Sequence, residues 1–220
     1  MTMATKTTLH LVGDSTMCIY SPEHAPREGW GMRLPALCRP EVTVLNHAVS
    51  GCSTKSFSNI GKWDEVVAAI TPGDYVVMGM GINDSAPRET RPQNHTDTGG
   101  EFEGNLTRWI GDVRTRGGIP VLTTTTVCWN SVLPFEPNPE HNRYNQAILK
   151  TAETHDCAAV DLNGRALKRF ASMQPAQILA CHMTAQNDYC HLTDVGASFY
   201  ARLFVELCQE AALPIASLFI

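Results

Sequence analysis

Leu9-His-Leu-Val-Gly-Asp-Ser-Thr16 decides how this chain is read. Four residues of strand character, Leu9–Val12, run straight into Gly13-Asp14-Ser15-Thr16. A serine at that junction can turn its hydroxyl toward the crevice beyond the strand, beside backbone N–H groups with no intrahelical partner. The same serine or its aspartate neighbour would serve equally well as a helix N-cap. The triplet therefore gains meaning only from the rest of the chain.

Outward from it, apolar strand-like runs alternate with helical patterns, the signature of a parallel sheet built from βαβ units. Val42–Asn46, Tyr75–Met80, Pro120–Thr125 and Ala158–Leu162 read as further strands. Tyr75–Met80 and Pro120–Thr125 are apolar or β-branched on successive positions, as expected when helices cover both sheet faces. Helices are expected near Gly31–Leu37, Lys62–Ile70, Glu103–Arg116, Glu140–His155 and Asp194–Ala212, the last capped by Thr193 or Asp194. Asp84–Glu101 and Cys128–Pro139 lack periodicity; loops after strand ends carry the site in such sheets, so both are expected to wall the cleft.

The 220 residues, 43% hydrophobic and 18% charged, suit one α/β domain over residues 1–220 and exclude intrinsic disorder. No apolar run approaches the roughly 18–20 residues that span a bilayer. A net charge of −5 gives no electrostatic footprint for nucleic acid. The polar stretch Met1–Thr8 has no apolar leader, and the eight cysteines form no CxxC pair or zinc-like cluster. Reduced thiols in a cytoplasm are the expectation, with secretion as the alternative left open by two sequons, Asn94-His-Thr96 and Asn105-Leu-Thr107.

Three further segments can carry chemistry. In Asp188-Tyr-Cys-His191, a carboxylate three residues before an imidazole can reach back, fix its tautomer and stabilise the imidazolium. Asn46-His-Ala-Val-Ser-Gly-Cys52 and Gly79-Met-Gly-Ile-Asn-Asp84 follow the second and third strands. There Gly51 could present an N–H and Asn83 an uncharged amide to developing negative charge. Each has an ordinary structural reading as surface histidine, turn glycine or loop-capping asparagine. Their conjunction at strand-end loops supplies a nucleophile, a base with its orienting acid, and oxyanion donors. Gly79-Met-Gly81 fails as a dinucleotide fingerprint, since it lacks the third glycine and follows the third strand.

In the order Ser15, Gly51, Asn83, then Asp188 with His191, the chain resembles the SGNH (GDSL-type) hydrolase superfamily. The resemblance implies a flavodoxin-like three-layer α/β/α sandwich with a five-stranded parallel sheet. It implies Ser15 as nucleophile, His191 as base and Asp188 as its partner. It also implies an oxyanion hole from the Ser15 and Gly51 N–H groups and the Asn83 side chain. Finer features are similar to the rhamnogalacturonan acetylesterase branch: GDST in place of GDSL, Gly29-Trp-Gly31, Asn46-His-Ala48 leading to Ser50-Gly51, Ser53-Thr-Lys-Ser-Phe57, and Pro72-Gly-Asp-Tyr75. Cys52 and Ile82 depart from it, standing where that branch carries arginine and histidine.

The implied activity is a serine esterase that removes acetyl groups from pectic, rhamnogalacturonan-type or other acetylated saccharides, without metal or organic cofactor. Its partner is an acetylated carbohydrate, with neither nucleic acid nor membrane. A lipase or thioesterase acting on another acyl ester, and a carbohydrate-binding module without chemistry, are the alternatives. Trp129, in a proline-rich stretch, is the tryptophan expected to stack on a sugar ring, and Asp194 is the rival carboxylate for His191.

Overall fold

The computed structural model describes residues 7–132 and 134–220, so most of the polar N-terminal stretch lies outside the described residues. Strand β1 (Thr8–Gly13) leads through short 3-10 turns to β2 (Thr43–Asn46). Helices α1 (Thr54–Asn59) and α2 (Lys62–Ala69) precede β3 (Tyr75–Gly79), and α3 (Glu101–Thr115) precedes β4 (Ile119–Thr123). A hairpin of β5 (Trp129–Val132) and β6 (Phe135–Pro137) leads to α4 (Pro139–Thr154) and β7 (Ala158–Val160). Helices α5 (Leu162–Phe170), α6 (Pro175–Ala180) and α7 (Asp194–Glu210) follow.

The main sheet is five-stranded and parallel, in the order β2-β1-β3-β4-β7. This is the expected three-layer architecture, because side chains on each central strand alternate between two apolar layers. Leu9 and Leu11 of β1, Val77 of β3 and Val121 of β4 enter one cluster with Trp30, Tyr200 and Phe204. Val12, Val76, Met78 and Leu122 enter the other with Phe57, Trp63, Phe102 and Trp109. Trp63 and Trp109 stack at 4.3 Å between α2 and α3.

From β1 the chain moves out to the edge strand β2 and then crosses to β3 on the opposite side of β1. That reversal opens a crevice at the C-terminal ends of β1 and β3, where open α/β sheets hold their ligands. The loops after β1, β2 and β3 all empty into it.

Several expectations need correcting. The Gly31–Leu37 segment forms two 3-10 turns, Trp30–Met32 and Leu34–Leu37, not one helix; Pro35 removes a backbone donor inside it. The Cys128–Pro139 stretch is partly ordered as the β5–β6 hairpin. Reduced thiols hold for six of the described cysteines, but Cys128 and Cys190 are disulfide-bonded across 62 residues.

Candidate active site

Ser15 follows β1 directly, in a turn closed by its neighbour: Asp14 Oδ1 accepts from the Thr16 N–H and Oγ1, both at 2.9 Å. Asp14 thus orients the turn and caps no helix. Tyr20 adds a hydroxyl that donates to the Ser15 carbonyl at 2.9 Å. The turn is seated on Gly29-Trp30-Gly31: a Cβ on Gly31 would lie 2.5 Å from the Met17 carbonyl oxygen and 2.6 Å from Asn46 Nδ2. Trp30 beside it packs on Phe204 of α7 at 5.3 Å. The motif is glycine-rich because the Ser15 turn needs that close approach.

His191 arrives from the loop between α6 and α7. Its Nε2 lies 2.9 Å from Ser15 Oγ, and its Nδ1 lies 2.6 Å from Asp188 Oδ2. The second Asp188 oxygen accepts the N–H groups of Cys190 and His191 at 3.1 and 3.0 Å. Burial alone would raise the Asp188 carboxyl, but those two N–H groups and the His191 ring together hold it below the usual carboxylate value. A carboxylate that stays ionised fixes Nδ1 as the protonated nitrogen and leaves Nε2 to accept the serine proton. Asp194 begins α7, where Thr193 Oγ1 caps the Gly196 N–H at 3.2 Å.

The other two expected residues, Gly51 and Asn83, are tied to one another, both contacted by Arg91. Gly51 adopts φ +79°, a conformation that strains residues bearing a Cβ. Among the described residues neither the Ser15 N–H nor the Gly51 N–H finds an acceptor, so both are free to bind an anionic oxygen. Asn83 donates one amide N–H to the Cys52 carbonyl at 3.1 Å, which leaves the second available.

Residues that sequence reasoning missed hold these groups. Arg91 donates to Asn83 Oδ1 at 3.0 Å and approaches the Gly51 carbonyl at 3.4 Å. Asn94 donates to the same carbonyl at 2.8 Å. Asn94 is 4% exposed, so this sequon asparagine is spent on the site's scaffold and closed to a glycan. Both come from the aperiodic 84–101 stretch expected to wall the cleft; nothing local distinguishes them there. Asp84, beside Asn83, anchors the α1 start through the Thr54 N–H at 3.1 Å, and burial raises its carboxyl to about 6. On the opposite side Arg27 donates to Asp188 Oδ2 at 3.0 Å and sits over the Tyr20 ring.

Trp129 is corrected. The residue is 8% exposed and its ring packs against Phe135, Phe170 and His182 within the apolar layer, so it offers no open face for a sugar to stack on. The β5–β6 hairpin folds it inward. Among the described residues no cluster of histidine, cysteine or carboxylate side chains has the geometry to hold a metal ion, and no helix is long and apolar enough to cross a membrane.

Comparison with known proteins agrees with this fold. Rhamnogalacturonan acetylesterase RhgT of Bacillus subtilis is 30% identical over 220 residues, covering 93% of this chain and 90% of its own. The uncharacterized esterase YxiM of Bacillus subtilis is 30% identical over 205 residues, 92% of this chain and 52% of its own, so the chain spans about half the length of that relative. The crystal structure of YxiM superimposes with a TM-score of 0.82 at 28% identity, over 96% of this chain and 58% of the other. The fold is also that of Axe2, an acetylxylan esterase from Geobacillus stearothermophilus: TM-score 0.69, 18% identity, 94% and 95% coverage. Residues 11–198, a span that starts within β1 and closes beyond His191, match the GDSL-like Lipase/Acylhydrolase family, and the chain belongs to it.

Proposed function

We propose that the protein is a serine esterase that removes acetyl groups from a carbohydrate through an acetyl-serine intermediate. The observation that carries this reading is the unbroken line Ser15 Oγ–His191 Nε2 and His191 Nδ1–Asp188 Oδ2, at 2.9 and 2.6 Å. His191 takes the Ser15 proton as Oγ attacks the ester carbonyl. The oxyanion is received by the Ser15 and Gly51 N–H groups and the free Asn83 N–H, three donors fixed before the charge appears. Collapse expels the sugar alkoxide, which takes the proton from His191, and water hydrolyses the acetyl-enzyme by the same route.

The acetylated-carbohydrate substrate is supported by relatives named as rhamnogalacturonan acetylesterases and by the likeness to an acetylxylan esterase. The Cys128–Cys190 bond favours an oxidising compartment and so the secreted alternative over the cytoplasm. Acetate release from acetylated pectic oligosaccharides and from acetylated xylan, together with a p-nitrophenyl ester series of rising acyl length, tests the reading. It predicts release from at least one polysaccharide and a sharp fall in kcat/KM beyond acetate. Turnover that rises toward long acyl chains, with no acetate release from either polysaccharide, would replace it with the lipase reading.

A further inference from the structure

The chain carries an uncharged cavity of mixed polar and apolar lining beside the catalytic loop that this chemistry leaves unused. It measures about 340 Å³ and lies beyond the C-terminal end of β4, walled by Val127, Cys128, Asn138, His141, Asn142 and Asn163. That edge is where open α/β sheets take ligands, and small-molecule sites run from about 300 to 1,000 Å³.

A lining histidine is buried there with hydrogen-bonding capacity to spare. His141 is 7% exposed, and its Nδ1 is buried without a partner among the described residues. Burial holds this ring at a pKa of about 4, so it is neutral at pH 7. Asn142 is exposed and makes no side-chain hydrogen bond among the described residues. Folded proteins leave few such groups, and a ligand is one of the things that explains them. No Asp, Glu, Lys or Arg is among the described lining residues. A charged ligand would find no counter-charge there. A neutral sugar suits the lining better, since its hydroxyls both donate and accept and its ring face is apolar enough for Val127 and Leu167.

Cys128 in the cavity wall is bonded to Cys190, which stands between Asp188 and His191. One covalent bridge thus separates the cavity from the pair that activates Ser15. We propose that the cavity is a subsite for a neutral sugar unit of the acetylated chain, holding one unit while Ser15 deacetylates another. The inference rests on the carbohydrate-esterase reading above.

Steady-state kinetics of His141→Leu and Asn142→Ala on acetylated xylo-oligosaccharides, with p-nitrophenyl acetate as the small-ester control, test it. The subsite predicts KM for the oligosaccharides raised about tenfold in each variant, the loss of roughly one hydrogen bond. Oligosaccharide kcat and all p-nitrophenyl acetate kinetics stay unchanged. Wild-type turnover of the oligosaccharides with KM within about twofold in both variants would overturn the subsite and leave the esterase reading standing. Wild-type protein that cleaves p-nitrophenyl acetate but neither acetylated xylo-oligosaccharides nor acetylated pectic oligosaccharides overturns the carbohydrate reading, and the subsite with it. Asn142 projects from the exposed side of α4, so its variant keeps the test available if His141→Leu fails to fold.

Discussion

Asn83 is held in a single orientation by two neighbours of opposite character. A guanidinium has no acceptor and a carbonyl has no donor, so Oδ1 must face Arg91 and Nδ2 must face Cys52. Rotating the amide would break both contacts and turn an oxygen toward the oxyanion. Arg91→Met removes that constraint and is expected to lower kcat on p-nitrophenyl acetate roughly ten- to hundredfold, a fraction of what loss of an oxyanion donor costs. KM should change little, and Arg91→Lys should recover part of kcat because it keeps a donor. A raised KM with kcat intact would show that Arg91 touches substrate instead. At this scale the line of Ser15, His191 and Asp188 was legible, because the chemistry demands those residue types, although Asp188 and His191 arrive from the loop between α6 and α7 and not from a strand end. Arg27 was not, since its partner Asp188 lies far away in sequence, and Arg91 was not, because nothing in its aperiodic stretch marks it out although Asn83 is close by. Trp129 misled because its burial is decided by Phe135, Phe170 and His182, which no local pattern brings together.

The loop carrying Asp188 and His191 is an element held at several points. Met183 donates its N–H to the His191 carbonyl at 3.0 Å, and Thr193 donates to the Cys181 carbonyl at 3.2 Å. The Cys128–Cys190 bond ties the same loop to the start of the β5–β6 hairpin. Closing a loop of 62 residues restricts the unfolded chain, so Cys190→Ser is expected to lower unfolding free energy by about 2–4 kcal/mol in denaturant titration. It should also reduce kcat several-fold as the imidazole gains freedom; unaltered stability and kcat would mean that the hydrogen bonds alone hold the loop. The disulfide was not readable from spacing, because its partners meet only after the sheet has formed. Helix α5 left a usable signal in Leu162, Ala166 and Phe170, buried at four-residue intervals, but Asn163-Gly164 reads as a turn. Asp161, whose side chain caps the Gly164 N–H at 3.0 Å, turns that dipeptide into a helix start.

Across the whole molecule, the sheet order sets which loops meet, and buried ionisable groups set how stability follows pH. His47 and His141 are held at about 4 by burial, against 6.5 for the free ring. Between those values the unfolded chain binds protons that the folded chain refuses, so stability falls as pH drops through that window. Asp84 opposes this: its carboxyl, raised to about 6 from 3.8, adds stability as pH falls across its own interval. Burial also lowers the His10 and His182 rings and raises the Asp14 carboxyl, so four imidazoles outweigh two carboxyls; the calorimetric Tm should be lower near pH 4.5 than near pH 7, and His47→Gln should flatten the dependence. A Tm that holds or rises on acidification would contradict this balance. The parallel α/β class was legible at this scale from strand runs alternating with helical ones, and the five-stranded sandwich was implied by the family resemblance; the β1–β3 reversal that opens the crevice emerges only from the sheet order. Ser15 as the nucleophile at that crevice is tested most directly by the rate of Ser15→Ala on p-nitrophenyl acetate, with circular dichroism to verify the fold. A fall of at least roughly 10³-fold with an unchanged spectrum is predicted; a variant within about tenfold of wild type would contradict it.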